Sequence, residues 1–167
     1  MPKIRRIFTA SKGVYGSPRV HAELVRSQGC DVVAVGDDVD AAAEIARREI
    51  GLADDATFTS ADAMARAIAD RVDGVIVASH TRDHARHASP FLAAGLPVYL
   101  EKPITDDLDE AFDFVMSLDP SGPGVQLGLQ RRFDPALAHA RALISDGSLG
   151  DIREIRCILR DQFPPPE

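Results

Sequence analysis

From residue 31 onward the chain alternates between two hydrophobic rhythms. Short β-branched runs read as strands: DVVAV at 31–35, GVIVAS at 74–79, PVYLEKP at 97–103 and GVQLGLQ at 124–130. DVVAV, ending in Gly36, suits a buried strand of a parallel sheet, and GVIVAS is the clearest strand of the set. TFT at 57–59 is a shorter candidate of the same kind. Between the strands lie segments with helical chemistry. DAAAEIARREIG at 40–51 is alanine-rich and closed by Gly51, a residue suited to a left-handed helix end. Ser60 stands in N-cap position before ADAMARAIAD, with Asp62 in the first turn. RDHARHASPFLAAG at 82–95 predicts a helix that Pro90 kinks or breaks, because proline removes an N–H from the ladder. DLDEAFDFVMSLD at 107–119 is amphipathic, with early acids that complement a helix N-terminus. DPALAHARALISDG at 134–147 places Pro135 in the first turn and Gly147 past the end. DIREIRCILR at 151–160 predicts a further strand, with Ile155, Cys157 and Leu159 on one face.

Strands alternating with helices in this way predict βαβ units and an α/β fold: a Rossmann-like, doubly wound parallel sheet. The expected organisation is an atypical segment at 1–18, a Rossmann-like domain at 19–130 and the start of a second unit at 131–167, to which the strand at 151–160 belongs. One candidate strand strains the pattern. KIRRIF at 3–8 would be central in a Rossmann sheet, where an almost wholly apolar strand is expected. Arg5 or Arg6 would face a covered side unless both sit at the strand's end.

Composition adds little to this until it is resolved along the chain. The 167 residues are 45% hydrophobic and 27% charged, ordinary for a globular protein. No apolar run approaches a membrane span, and no signal peptide is visible, so a cytoplasmic protein is expected. Cys30 and Cys157 are far apart, without metal-ligand spacing, and read as two reduced thiols. The net charge of −7 argues against nucleic acid as a partner of the whole chain. The charge is uneven, however: residues 1–29 hold six basic residues and one acid. A basic arm, or two segments of different origin, would produce that asymmetry.

Candidate chemistry follows from where strands end, because ligands of open α/β sheets bind beyond the carboxyl ends of the strands. Asp37 follows the strand at 31–35 and can accept hydrogen bonds from adenosine ribose hydroxyls; Asp38 beside it competes for that role. Ser79, His80 and Thr81 follow the strand at 74–79, where the next helix opens. His80, His84 and His87 share one helical side, a spacing that can hold a metal, but no matching carboxylate or cysteine cluster accompanies them, so no metal is expected. His84 is a candidate cofactor or substrate contact, whereas His87 reads as a satisfied or solvent-facing histidine. Glu101 and Lys102 close the strand at 97–103 ahead of Pro103. A lysine there can orient a substrate hydroxyl and handle a proton during hydride transfer.

Jointly these motifs resemble a known family. From Arg19 to Glu167 the chain is similar to the N-terminal part of the Gfo/Idh/MocA oxidoreductases, which include inositol 2-dehydrogenases. VHAELVRSQGCDVVAVGD resembles that family's first helix and second strand. DGVIVASHTRDHARHASPFLAAGLPVYLEKPIT resembles its central block with the Glu-Lys-Pro signature. VQLGLQRRFDPALAHARALISDGSLGDI resembles the passage into the second domain, with RRFDP pointing to the inositol branch. The resemblance implies NAD or NADP as cofactor, hydride transfer at a cyclitol or sugar carbon, a catalytic role for Lys102, and a homo-oligomer; it makes 19–130 the NAD(P)-binding domain and 131–167 the start of a truncated α+β substrate and oligomerisation domain. The cofactor contacts implied are Gly13, Gly16, Asp37, Ser79, His80, Thr81, His84 and Glu101.

Two departures qualify these expectations. The family opens with an apolar strand and G-x-G-x-x-G; here Gly13-Val-Tyr-Gly16 keeps the last two glycines, and Ser17-Pro18 adds length. IRRIFTASKGVYGSPRVHAEL instead resembles a helical segment of insertion-sequence transposases, and RVHAEL fits both families. The opening therefore reads as a transposase-like piece joined to a dehydrogenase, with a divergent phosphate loop as the alternative. Either way weak cofactor binding is expected, since Pro18 removes one of the N–H donors a helix N-terminus offers a pyrophosphate. The family's catalytic Asp and His, which act with the lysine, would lie beyond Glu167, so the chain alone is expected not to turn over. A noncatalytic dinucleotide-binding or interaction protein, and a DNA-binding module confined to residues 1–29, are the competing functions.

Overall fold

The computed structural model describes residues 30–40, 44, 47–48 and 51–158, together with the backbone of residues 5–10. The glycine-bearing segment with Gly13 and Gly16 lies outside the described residues. The chain divides into two compact units, Met1–Gly128 and Leu129–Glu167.

In the first unit six strands form one sheet: β1 (Arg5–Ala10), β2 (Asp31–Gly36), β3 (Thr57–Phe58), β4 (Gly74–Ala78), β5 (Val98–Leu100) and β6 (Val125–Leu127). Their order is β3-β2-β1-β4-β5-β6, and every neighbouring pair is parallel. This is the doubly wound Rossmann order, in which the strand sequence reverses between β1 and β4. Backbone pairing places β1 at the centre, with Phe8 opposite Val35 and Ile76. Arg5 and Arg6 are the first two residues of that strand.

Three helices of this unit are α1 (Ala61–Ile68), α2 (His84–Ala93) and α3 (Leu108–Ser117). The helical segment after β2 includes Asp40, Glu44, Arg47 and Arg48. Gly51 ends it at φ 78°, and its N–H donates to the Arg47 carbonyl at 2.9 Å. The positive φ is the reason for glycine there, since a Cβ makes that conformation costly. Ser60 caps α1 as its sequence position suggests, its Oγ accepting the Ala63 N–H at 3.3 Å. Asp107 caps α3 by accepting the Glu110 N–H at 2.9 Å.

The core lies between the sheet and these helices. Val75, Val77, Val98 and Leu100 meet Met64, Ala65 and Ile68 of α1, Ala85, Ala88 and Phe91 of α2, and Phe114 of α3. Each large apolar side chain so buried contributes about 1.5–3 kcal/mol. Gly74, Val75, Ile76 and Val77 are all buried, which accounts for the uninterrupted apolar run read from the sequence.

Two expectations are corrected. Pro90 does not break its helix: α2 runs through it to Ala93, after a separate 3-10 turn at Thr81–Asp83. The bond that proline forfeits is the one to the Arg86 carbonyl, and Arg86 is on the exposed side where water can serve that oxygen. Residues 151–158, expected to begin a strand, form none. A strand exists only against a ladder partner, and among the described residues this segment has no strand beside it.

The second unit contains α4 (Pro135–Ser145). Asp134 caps it by accepting the N–H groups of Ala136 and Leu137, Pro135 occupies the first turn, and Gly147 follows the end at φ 77°. No residue of α4 is buried.

Candidate active site

Parallel strands all end on one edge, so the loops after β2, β3 and β4 share a side of the sheet. There they enclose a cleft of ≈ 240 Å³, lined among others by Asp37, Asp38, Phe58, Ser79, His80 and His87. Small-molecule sites commonly measure about 300–1,000 Å³, so this cleft suits one portion of a larger ligand.

Asp37 immediately follows β2 and is 8% exposed. Its Oδ1 accepts the Val39 N–H at 2.9 Å. Its Oδ2 is buried without a hydrogen-bond partner among the described residues. Burial raises the Asp37 pKa above the ordinary carboxylate value. The Val39 N–H works against that rise, Asp38 adds to it by like charge, and His80 and His87 oppose it. A buried carboxylate oxygen without a donor is costly unless a ligand supplies one.

Asp38 is tied outward. The Arg86 Nη2 donates to Asp38 Oδ2 at 3.3 Å and to Asp83 Oδ1 at 2.9 Å, linking the loop after β2 to α2. The Arg86 hydrogen bond lowers the Asp83 pKa. His80 is exposed at the cleft, ahead of the 3-10 turn. Thr81 begins that turn without lining the cleft.

His84 stands behind the cleft, buried to 2% exposure. Its Nδ1 lies 2.7 Å from the Pro103 carbonyl oxygen, and its Nε2 lies 2.9 Å from that of Ser79. Both partners are carbonyl oxygens, which only accept, so each contact is a hydrogen bond where the ring nitrogen facing it carries the proton. The ring sits between the loop after β4 and the turn after Lys102. His87, read from sequence as a bystander, lines the cleft and is buried. It sits among Ala85, Ala88 and Phe91 on the inward side of α2. Among the described residues no group of three or more His, Cys, Asp or Glu side chains could hold a metal.

Glu101 and Lys102 follow β5 and do not line the cleft. Glu101 Oε2 accepts the Lys102 backbone N–H at 3.2 Å, Lys102 is exposed, and the Lys102–Pro103 peptide is cis. The sheet thus brings Asp37, Ser79 and His80 to one cleft, sets Lys102 at the end of β5, and couples the Lys102 turn to the β4 loop through His84.

The sequence profile of the Gfo/Idh/MocA group, an oxidoreductase family with an NAD-binding Rossmann fold, matches residues 12–128. The chain belongs to this family. An inositol 2-dehydrogenase of Mycolicibacterium smegmatis is 32% identical over 163 residues, 96% of this chain and 46% of that protein. A scyllo-inositol 2-dehydrogenase (NAD(+)) of Bacillus subtilis is 31% identical over 138 residues, 83% of this chain and 39% of its own length. A crystal structure of scyllo-inositol dehydrogenase from Lactobacillus casei, with bound cofactor NAD(H) and scyllo-inositol, superposes with a TM-score of 0.69. It is 25% identical and covers 90% of this chain and 43% of that one. The Gfo/Idh/MocA chain described here spans about half the length of the curated relatives it matches. Among its described residues no helix is long and apolar enough to cross a membrane.

Proposed function

We propose that this chain supplies the NAD-binding and lysine-bearing part of a dehydrogenase acting on a cyclitol or a related sugar. The observation that carries the reading is Asp37 Oδ2, buried in the cleft at the end of β2 and lacking a donor. A ribose hydroxyl is the donor that would complete it, so the residues present fit the adenosine part of NAD. When bound, NAD supplies the acceptor for a hydride. Asp37 holds the ribose; Ser79 and His80 border the same cleft; Lys102 orients the substrate hydroxyl and exchanges its proton. His84 fixes the Lys102 turn relative to the cleft. The inositol dehydrogenases among the relatives support a cyclitol as the substrate class.

Calorimetric titration with NAD tests the reading. Wild-type protein is expected to bind, and Asp37→Ala to bind at least about tenfold more weakly, the loss of one hydrogen bond to a charged group. Wild-type protein that takes up no NAD at several millimolar, or an Asp37→Ala variant of unchanged affinity, would overturn it.

A further inference from the structure

Two buried polar atoms lack a hydrogen-bond partner among the described residues, and both belong to residues lining the same cleft: Asp37 Oδ2 and His87 Nε2. The first is an acceptor with a role already given. The second is unaccounted for. The His87 side chain is 7% exposed. On one side of the ring Nδ1 lies 2.8 Å from Ser79 Oγ. On the other, Nε2 lies 3.4 Å from Asp38 Oδ1, beyond the usual 2.7–3.2 Å of an N–H···O bond.

Hydrogen-bond chemistry selects one arrangement of protons. A neutral imidazole carries one N–H, and a serine hydroxyl can either donate or accept. The Asp38 carboxylate beside Nε2 can only accept, so it favours the proton on that nitrogen. The Ser79 hydroxyl then donates to Nδ1. Burial keeps the His87 pKa below its ordinary value, opposed by Asp38 and Asp83 and reinforced by Arg86 and His84. The ring is thereby a neutral donor with its direction fixed from behind. Its N–H is held just out of bonding range of Asp38, on a residue that lines the cleft.

We propose that His87 is a specificity-determining residue for the adenosine portion of the cofactor, donating its Nε2–H to an adenosine nitrogen or oxygen while Asp37 accepts from a ribose hydroxyl. This rests on the NAD reading above. Together the two residues offer one buried donor and one buried acceptor, the complement of a nucleoside that presents both. Ser79 acts through His87 by setting its tautomer.

The test uses 5′-AMP and NAD as probes on the full chain. His87→Phe keeps a ring but removes the donor, and is expected to weaken both ligands about tenfold. His87→Gln, which restores an N–H, is expected to recover most of that loss. Ser79→Ala is expected to weaken binding by a smaller factor. Nitrogen-15 spectra of the wild-type His87 ring give a second readout that needs no variant to fold: an Nε2–H tautomer whose signal moves when 5′-AMP is added. His87→Phe binding 5′-AMP as tightly as wild type, or a ring signal that 5′-AMP leaves unmoved, overturns the role of His87 and leaves the NAD reading standing. Wild-type protein that binds neither 5′-AMP nor NAD overturns both.

Discussion

At the scale of single residues the site is defined by what is left incomplete. Asp37 makes one bond to its own loop and keeps one oxygen without a donor in a buried place. Its raised pKa has a measurable consequence. Between the ordinary carboxylate pKa, about 4, and the raised folded value, the folded chain holds more protons than the unfolded one. Stability contributed by Asp37 is therefore present below that window and declines as pH rises through it. A ligand that donates to Oδ2 favours the ionised form and lowers the pKa again. NAD binding should then release a proton within the window, and affinity should rise with pH through it. Calorimetry in two buffers of different ionisation enthalpy measures that proton directly. Asp37→Asn should flatten the profile; an Asn variant with the same pH dependence would place the titrating group elsewhere. Asp37 was legible in the sequence because it follows a strand end. His87 was not, because its identity alone does not say whether a helix turns it inward. Its burial depends on α2 packing its Ala85–Ala88–Phe91 side against the sheet, a tertiary fact.

At the scale of elements, periodicity and end signals carried most of the reading. Ser60 was placed by its position before a helical run; Asp107 and Asp134, read only as the first residues of their helical segments, are caps too, and all three accept an N–H from the first turn. Gly51 and Gly147 end helices with positive φ. Proline was the harder signal, because its cost depends on what the freed carbonyl can do. Pro90 sits inside α2, where a proline interior to a helix costs about 3 kcal/mol relative to alanine. Here the orphaned Arg86 carbonyl lies on an exposed residue, which reduces that penalty, and proline also restricts the unfolded chain by about 0.4–1 kcal/mol. The two effects leave a net cost for proline. Pro90→Ala should therefore stabilise the first unit by about 1 kcal/mol, read as a shift in the denaturant midpoint with an unchanged slope. A destabilised variant would mean that the proline ring's own packing outweighs the lost bond. The segment at 151–158 failed for a different reason: alternation shows that a run could pair, and says nothing about whether a partner edge exists.

At the scale of the whole molecule the two units differ in how they hold themselves together. The first packs α1, α2 and α3 on its sheet around fully buried Phe91, Met64, Ile68 and Leu100. In the second, α4 buries no residue, and Leu137, Ile144, Ile155 and Ile158 are exposed. Capping by Asp134 contributes about 1 kcal/mol, too little to hold an eleven-residue helix without an apolar face packed against something. Amides of α4 should therefore open at far lower free energy than those of β4, whose residues Gly74 to Val77 are buried. Hydrogen exchange followed by mass spectrometry or NMR measures both regions in one experiment. The cofactor gives the comparison a second arm. A ligand that binds only the folded first unit raises its opening free energy by about 2.7 kcal/mol at a hundred times its dissociation constant. That increase should register at Val75, Ile76 and Val77, through the strand whose end borders the cleft, and be absent from Leu137 to Ile144. Equal protection of α4 and β4 without ligand would show that the second unit is held by contacts its exposed surface does not reveal. Equal gains in both regions on adding NAD would show the two units opening as one.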